Sequence, residues 1–575
     1  MKKASVPCPF CGVGCKLDAS SKKPLKEACA RAYGVINYFS RNPVPEVLLY
    51  EDGLYNPIKL EEAIEIIVEW ISKNRTYYIG SAEDTNESAF LLNLLARALG
   101  TNDVDHCGRV CHAPSIDAYW DIFGLPTTNF SLDDELNDSE VFIIGSDVAV
   151  TYPVFWSKIK REARKIIVID SWTSFTMVQA DEGIIIPPGP GYLALSELLY
   201  NYTYRREVPL WVQEWLDADT IEKTIHFWED ARAPVLVHGM GVTHSGYGYS
   251  ILIRLLQAFL KRGGKIATLR GKVNVQGAGD MGLVPHLRRY FKTIEGIIKS
   301  EIPSRAGSDL VTAFKVDYPV YLIQCQNVIA SLPNSEEVAL KLLRSKVIQL
   351  TPKFTESSIF ADLIIPTTPL VNSQGTVTSG DGRVTAFEIG ENVAFRIYRE
   401  VLEYFDVHFH DLREVTYTAF EIVPYYRNID VYKLYNGYDQ YIEKPRTWKE
   451  VTPPRVEIFH IHRDEGYWFY TTRDPALWTT KGADEILERN SMKKAFYVNP
   501  EEFSGCSKIK VCSPYTGVCV SGDVLHTKRV PRNVIVAFFN HVGLKVNSLI
   551  PFEPRDVRSG TPIYKSAKVK AFCVS

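Results

Sequence analysis

The chain has 575 residues, of which 46% are hydrophobic and 23% charged, the proportions of a globular protein with several buried cores. Its 65 Lys and Arg against 68 Asp and Glu leave a net charge of −3, which excludes a global basic field for nucleic acid. No apolar run is long enough to cross a bilayer, and Met1, Lys2 and Lys3 lead straight into a cysteine motif, so a cytoplasmic location without direct membrane insertion is expected.

That motif is the first element: Cys8-x2-Cys11-x3-Cys15, then Cys29 after thirteen further residues. Structural zinc sites usually use two Cys-x2-4-Cys knuckles separated by a longer insert. Three cysteines within eight residues plus one remote suit an iron–sulfur cubane better, since each corner iron takes one thiolate. The 11 cysteines of a cytosolic chain argue for metal or catalytic use over disulfides.

Helix-like and strand-like segments then alternate. Residues 60–71, 87–99, 193–200 and 249–261 have helical patterns; 76–79, 141–144, 166–169, 235–237, 320–323 and 363–365 are short, bounded, β-branched runs. This alternation predicts an α/β fold with largely parallel sheets, whose ligands sit at the carboxyl ends of the strands. The texture changes at Glu443-Lys444-Pro445-Arg446 and Pro453-Pro454, a proline-punctuated connection. Runs at 456–461, 467–472, 508–512, 517–521 and 533–539 predict an antiparallel β-rich terminal domain. Within it Cys506, Cys512, Cys519 and Cys573 read as buried core thiols, as does Cys325 upstream, and His460-x-His462 as a polar strand surface.

Two segments carry the candidate chemistry. Cys111-His112 pairs a soft thiolate, the ligand a heavy redox metal favours, with an imidazole that titrates near neutrality. Arg270 opens Arg-Gly-Lys-Val-Asn-Val-Gln-Gly, and a guanidinium fork matches the two oxygens of a small carboxylate. The Gly-x-Gly-x-x-Gly at 277–282 is not expected to bind a nicotinamide, because no strand leads into it and no acidic ribose partner follows at the right distance.

From Cys8 to about Lys570, these three separated motifs resemble the catalytic (alpha) subunit of the formate dehydrogenases, in the molybdopterin oxidoreductase family. The resemblance implies a multidomain α/β architecture. A 4Fe–4S domain would occupy 1–50 and two αβα, Rossmann-like domains 51–106 with 273–390 and 107–272. A connecting segment at 391–452 and a C-terminal β-barrel-like domain at 453–575 would follow. It implies a 4Fe–4S cluster on Cys8, Cys11, Cys15 and Cys29, and molybdenum or tungsten held by Cys111 and two molybdopterin guanine dinucleotides. His112 would manage the substrate proton and Arg270 would anchor the substrate. Cofactor contacts would come from Arg31, Thr85, Asn86, Glu87, Gly145, Ser146, Asp170, Gly189, Gly239, Met240 and Gly241. Lys272, Asn274, Gln276, Gly277, Thr376 and Asn547 complete that set. The chain departs from the family in having Arg31 for a bridging lysine, Lys272 for glutamine, Asp147 for asparagine and Ser379 for asparagine; the Pro188–Gly191 loop also lacks an aspartate. The implied reaction is two-electron oxidation of formate to carbon dioxide, or its reverse. Electrons would leave through the cluster to an iron–sulfur subunit or a ferredoxin. A formylmethanofuran dehydrogenase-type subunit and a non-catalytic iron–sulfur relay are the alternatives. The expected β-rich terminal domain stands against the first. Retention of Cys111, His112 and Arg270 stands against the second.

Overall fold

The computed structural model describes residues 5–456, 466–477 and 488–574. His460 and His462 lie outside the described residues. The chain divides into two compact units, each assembled from separated stretches: residues 5–109 with 270–443, and residues 110–269 with the described part of 444–574.

The first unit begins with the antiparallel hairpin Ser5–Pro7 and Lys16–Asp18, whose connection carries three of the motif cysteines. Its seven-stranded sheet runs, in spatial order, Leu54–Pro57, Leu48–Glu51, Leu363–Pro366, Lys346–Thr351, Val320–Gln324, Thr76–Gly80 and Val104–His106. The last five are parallel, and the pairs made by Leu48–Glu51 are antiparallel. Thr76–Gly80 and Val320–Gln324 are buried at every position, as strands covered on both faces must be. The helix Leu60–Lys73 buries only Ala63, Ile64, Ile67 and Ile71, one stripe at helical spacing. The helix Asn86–Ala98 is buried along almost its whole length, and the Thr85 side chain caps it by accepting from Ser88 N. Part of the 391–452 stretch, expected as a connection, instead forms the helices Val393–Glu403 and Leu412–Ile422, which pack on Asn86–Ala98. Each starts at a side-chain cap, Asn392 and Asp411 respectively, and turns an apolar face inward.

The second unit holds a five-stranded parallel sheet, in the order Lys265–Ile266, Pro234–His238, Glu140–Ile144, Lys165–Asp170 and Glu182–Ile185. Its terminal part is a closed six-stranded barrel: Tyr467–Thr472, Val534–Phe538, Ala495–Val498, Cys519–His526, Lys508–Cys512 and Ala567–Val574. Closure leaves no strand edge open to pairing. The barrel is mixed rather than antiparallel throughout. Tyr467–Thr472 runs parallel to Val534–Phe538, and Ala495–Val498 parallel to Cys519–His526.

The terminal cysteines are not buried thiols. Cys512 pairs with Cys519 and Cys506 with Cys573, all in or beside the strands Lys508–Cys512, Cys519–His526 and Ala567–Val574. Strand register explains the first disulfide, since Cys512 and Cys519 are direct cross-strand partners. Cys519 and Cys573 lie on exposed positions. Cys325 is a free, half-buried thiol.

Candidate functional site

In the first unit the motif cysteines gather at the N-terminal hairpin. Burial, reinforced by neighbouring Cys11 and Cys29, pushes the Cys15 thiol up to about 12. Burial and the same neighbours also raise Cys8 well above its ordinary value. The hairpin loop is seated on the Arg270 segment. Gly12 N donates to Arg270 O (2.9 Å), and Gly380 N donates to Gly12 O (3.0 Å). Arg31, beside Cys29, is buried in the short helix Ala30–Tyr33. Among the described residues, no three His, Cys, Asp or Glu side chains converge closely enough to hold a single metal ion. A cubane places its thiolates on separate iron corners and needs a wider spread than one ion does.

Arg270 is 1% exposed. Its Nη2 and Nε donate to Gln276 Oε1 at 3.1 and 3.3 Å. Lys272, two positions on, forms an ion pair with Glu83, so its charge is compensated within the unit. The rest of the 270–277 run is bonded to the start of the Asn86–Ala98 helix and to the strand Gln374–Thr378. Asn274 Nδ2 donates to Asp84 O (2.8 Å), and its Oδ1 accepts from Thr378 N (2.8 Å). Asn86 Nδ2 donates to the hydroxyls of Thr376 (3.0 Å) and Thr378 (3.1 Å). Glu87 accepts from Thr376 N (2.8 Å), Thr376 Oγ1 (2.6 Å) and Thr416 Oγ1 (2.8 Å), and burial raises its carboxyl. A side chain at Gly277 would strike Asn86. Thr85, Asn86, Glu87, Asn274, Gln276, Gly277 and Thr376, far apart in sequence, therefore form one buried polar frame.

In the second unit Cys111 is half-buried and His112 is 2% exposed, just before the helix Ala113–Phe123. Thr243 Oγ1 donates to Cys111 O (2.9 Å), and His112 Nδ1 lies 3.2 Å from Ser115 Oγ. The His112 ring meets His238 with centroids 6.0 Å apart, and His238 Nε2 lies 2.8 Å from the Tyr119 hydroxyl. The 239–244 loop that reaches Cys111 follows directly from the strand Pro234–His238. Gly145, at φ +60°, and Gly241 approach so closely that a Cβ on either would collide with the other. Ser146 fits just as tightly against Gly239, and Gly241 N donates to Gly145 O (2.8 Å). Met240 opens the four-residue helix Met240–Thr243, and Gly189 precedes the helix Pro190–Thr203. Asn547 is buried in the barrel turn Val546–Leu549.

Asp170 ends its strand with one oxygen saturated. Oδ1 accepts from Ser171 N (2.7 Å), Tyr192 Oη (2.9 Å) and Tyr470 Oη (2.7 Å), while among the described residues no donor reaches Oδ2. Burial raises the Asp170 carboxyl, and the nearby Lys565 ammonium lowers it. Burial holds Lys565 down to about 8. Sequence reading missed His238, Tyr119, Tyr192, Tyr470, Lys565 and Asp280. His238 had a signal, as the last residue of a strand before a glycine loop. Tyr470 and Lys565 had none, because they reach Asp170 from the barrel.

A family model described as molybdopterin oxidoreductase matches residues 41–390. The F420-dependent formate dehydrogenase subunit alpha of Methanocaldococcus jannaschii is 25% identical over 507 residues, covering 74% of this chain and 74% of that protein. The F420-dependent formate dehydrogenase 2 subunit alpha of Methanococcus maripaludis is 25% identical over 453 residues, covering 66% of this chain and 65% of that protein. Acetylene hydratase from Pelobacter acetylenicus superposes over 100% of both chains with a TM-score of 0.73 at 12% identity, which shows a shared fold. With well over half of its length inside that family model, this chain is an enzyme that belongs to the molybdopterin oxidoreductase family.

Proposed function

We propose that the chain is the catalytic subunit of a formate dehydrogenase, interconverting formate and carbon dioxide. The cofactor the family implies is a molybdopterin carrying molybdenum or tungsten, and the donor set suits it. Asp170 Oδ2 offers a buried acceptor for guanine N–H groups. In the other unit both polar atoms of Gln326 and Oε1 of Gln324 are buried, with no hydrogen-bond partner among the described residues. Such orphaned groups at the carboxyl end of a parallel strand suit a dinucleotide edge. Cys111 would be the protein ligand to the metal. When bound, the group supplies a two-electron redox centre.

The observation that carries the formate reading is Arg270. A buried guanidinium held by Gln276 can orient a carboxylate at two points and cannot be neutralised by deprotonation. His112, desolvated and positioned beside Ser115 and His238, would hold and pass on the substrate proton. Cys8, Cys11, Cys15 and Cys29 would carry a 4Fe–4S cluster that takes electrons one at a time. Arg31, buried next to Cys29, supplies a fixed positive charge there. An iron–sulfur subunit or a ferredoxin would receive the electrons.

The test is formate-dependent reduction of a viologen dye by protein purified with its cofactors, alongside metal analysis. Arg270→Lys keeps the charge and loses the fork. It should raise the KM for formate and lower kcat by roughly one to two orders of magnitude together. Unchanged kinetics in Arg270→Lys would remove the substrate-level support, and wild-type-like turnover by Cys111→Ala would reassign the metal ligand.

A further inference from the structure

The short helix Val275–Asp280 presents two side chains in series to Arg270. Gln276 Oε1 accepts from Arg270, while Gln276 Nε2 donates to both Asp280 oxygens at 2.9 and 3.0 Å. Asp280 also accepts from the hydroxyls of Tyr425 (3.0 Å) and Tyr426 (2.9 Å) and is 4% exposed. The Tyr425 hydroxyl lies 3.4 Å from that of Tyr290.

A primary amide is polar end to end, with an acceptor on one side and two donors on the other. An ionised carboxylate only accepts, so it holds the amide nitrogen of Gln276 and forces the oxygen toward Arg270. Turned over, the amide would aim its donors at the donors of the guanidinium. The spacer also balances the arginine's charge through an intervening amide, which takes the Nε–Nη2 edge of the guanidinium in place of a direct ion pair.

We propose that Asp280 is a positioning residue that acts through Gln276 to aim Arg270, and that loss of its negative charge weakens capture of the substrate anion. The inference rests on the reading of Arg270 as a carboxylate anchor. Burial pushes the Asp280 carboxyl up to about 7, against the hydrogen bonds from Gln276, Tyr426 and Tyr425 and the charge of Arg270. Among the described residues, the charged and titratable groups that face it are few. Arg270 stands behind Gln276. Tyr425 and Tyr426 come from the turn Pro424–Tyr426, and Tyr290 from the turn Arg289–Ile294, with Arg288 beside it. The imidazole of His106 packs on Gly279, and burial lowers it to about 4, so it is neutral where Asp280 titrates. Below about pH 7 the carboxyl gains an O–H that can donate to Gln276 Oε1, and the amide then turns its nitrogen toward Arg270.

The experiment measures the formate KM of the cofactor-replete protein between pH 6 and 8, with infrared difference spectra over the same range. A single ionisation near 7 raises the wild-type KM about tenfold from pH 8 to pH 6. Asp280→Asn should show a raised KM with that leg of the profile gone. Tyr425→Phe and Tyr426→Phe each remove a donor to the ionised form, so the break should move to higher pH. A purely structural role would leave the break in place. In the infrared, a carboxylic-acid band should appear on acidification with the same midpoint as a shift in the Arg270 guanidinium band. The acid band should be absent from Asp280→Asn. A break that persists in Asp280→Asn overturns the proposal. If that variant does not fold, a break unmoved in both tyrosine variants overturns it. If the wild type oxidises no formate, the formate reading fails while this inference is still decided by the infrared titration. Coincident bands that move with Tyr425→Phe support it, and their absence overturns it.

Discussion

Asp147 stands where the resembled family more often has asparagine, and its surroundings show what that exchange costs. Its Oδ1 accepts from Thr176 N (2.9 Å) and Thr176 Oγ1 (2.7 Å), and its Oδ2 from Phe175 N (3.3 Å). Burial outweighs those bonds, and with Asp170 nearby the carboxyl is pushed up to about 6. A raised carboxyl pKa means that the folded chain binds the proton more tightly than the unfolded chain. This contribution to stability is therefore fully present below the unfolded pKa and is lost as pH rises from about 4 through about 6. Asp147→Asn keeps the Oδ1 acceptor and removes the titration. Allowing for the group's partial exposure and a weakened contact to Phe175, the variant should be more stable at pH 7 by roughly 1 to 2 kcal/mol. The gain should vanish near pH 4. Denaturant unfolding of both proteins between pH 4 and 8 checks it, and a constant difference across that range would show that Asp147 does not titrate as its burial implies. Lys272 shows the opposite limit of residue-level reading. Its charge was visible in the sequence, but the partner that compensates it, Glu83, lies nearly two hundred residues upstream and no local pattern joins them.

At the level of elements, the barrel disulfides should matter unequally. Cys506–Cys573 spans 67 residues and Cys512–Cys519 spans 7. If cross-links act by restricting the unfolded chain, the long loop contributes about 4 kcal/mol and the short one about 2.5 kcal/mol. Cys573→Ser should therefore lower the unfolding midpoint of the barrel more than Cys519→Ser does, and a reductant should reproduce the sum. Equal shifts would point to native-state strain in place of chain entropy. The pairing was illegible in the sequence because spacing alone does not fix which strands become neighbours. The same blindness explains the parallel pairs within the barrel. Elements whose signal is local were readable. Residues 76–79, 141–144 and 320–323 are short apolar runs whose burial on both faces leaves no other reading, and they fall within Thr76–Gly80, Glu140–Ile144 and Val320–Gln324. Residues 391–443 were harder. The helices Val393–Glu403 and Leu412–Ile422 bury mainly Phe, Ile, Val and Leu at helical spacing, with Tyr398 and Thr416 among them, but each apolar stripe is short and interleaved with Arg and Glu.

For the whole molecule, the fold brings the cysteine hairpin, which opens the chain, onto the segment that begins at Arg270. Gly12 makes this possible, because a Cβ there would lie 2.5 Å from Arg270 O and 2.7 Å from Arg270 N, both backbone atoms that cannot swing aside. Val273 adds a second tie, its N donating to Pro9 O (3.4 Å). The cysteine loop and the Arg270 segment are thus joined in one body, and the roles proposed for them can be separated by mutation. Gly12→Ala keeps all four thiols and pushes the Arg270 backbone away. It should leave the iron content at about four per chain in an anaerobic preparation. It should also raise the formate KM roughly tenfold, since small displacements of a positioning group are expensive in rate. Cys29→Ser should do the converse, lowering the iron content and blocking dye reduction. Metal analysis and steady-state kinetics on the two variants separate these effects. Loss of iron in Gly12→Ala would mean that the hairpin needs the Arg270 contact to assemble its cluster. One zinc and no iron in the wild type would overturn the cluster itself, and leave the hairpin as a structural clamp on Arg270.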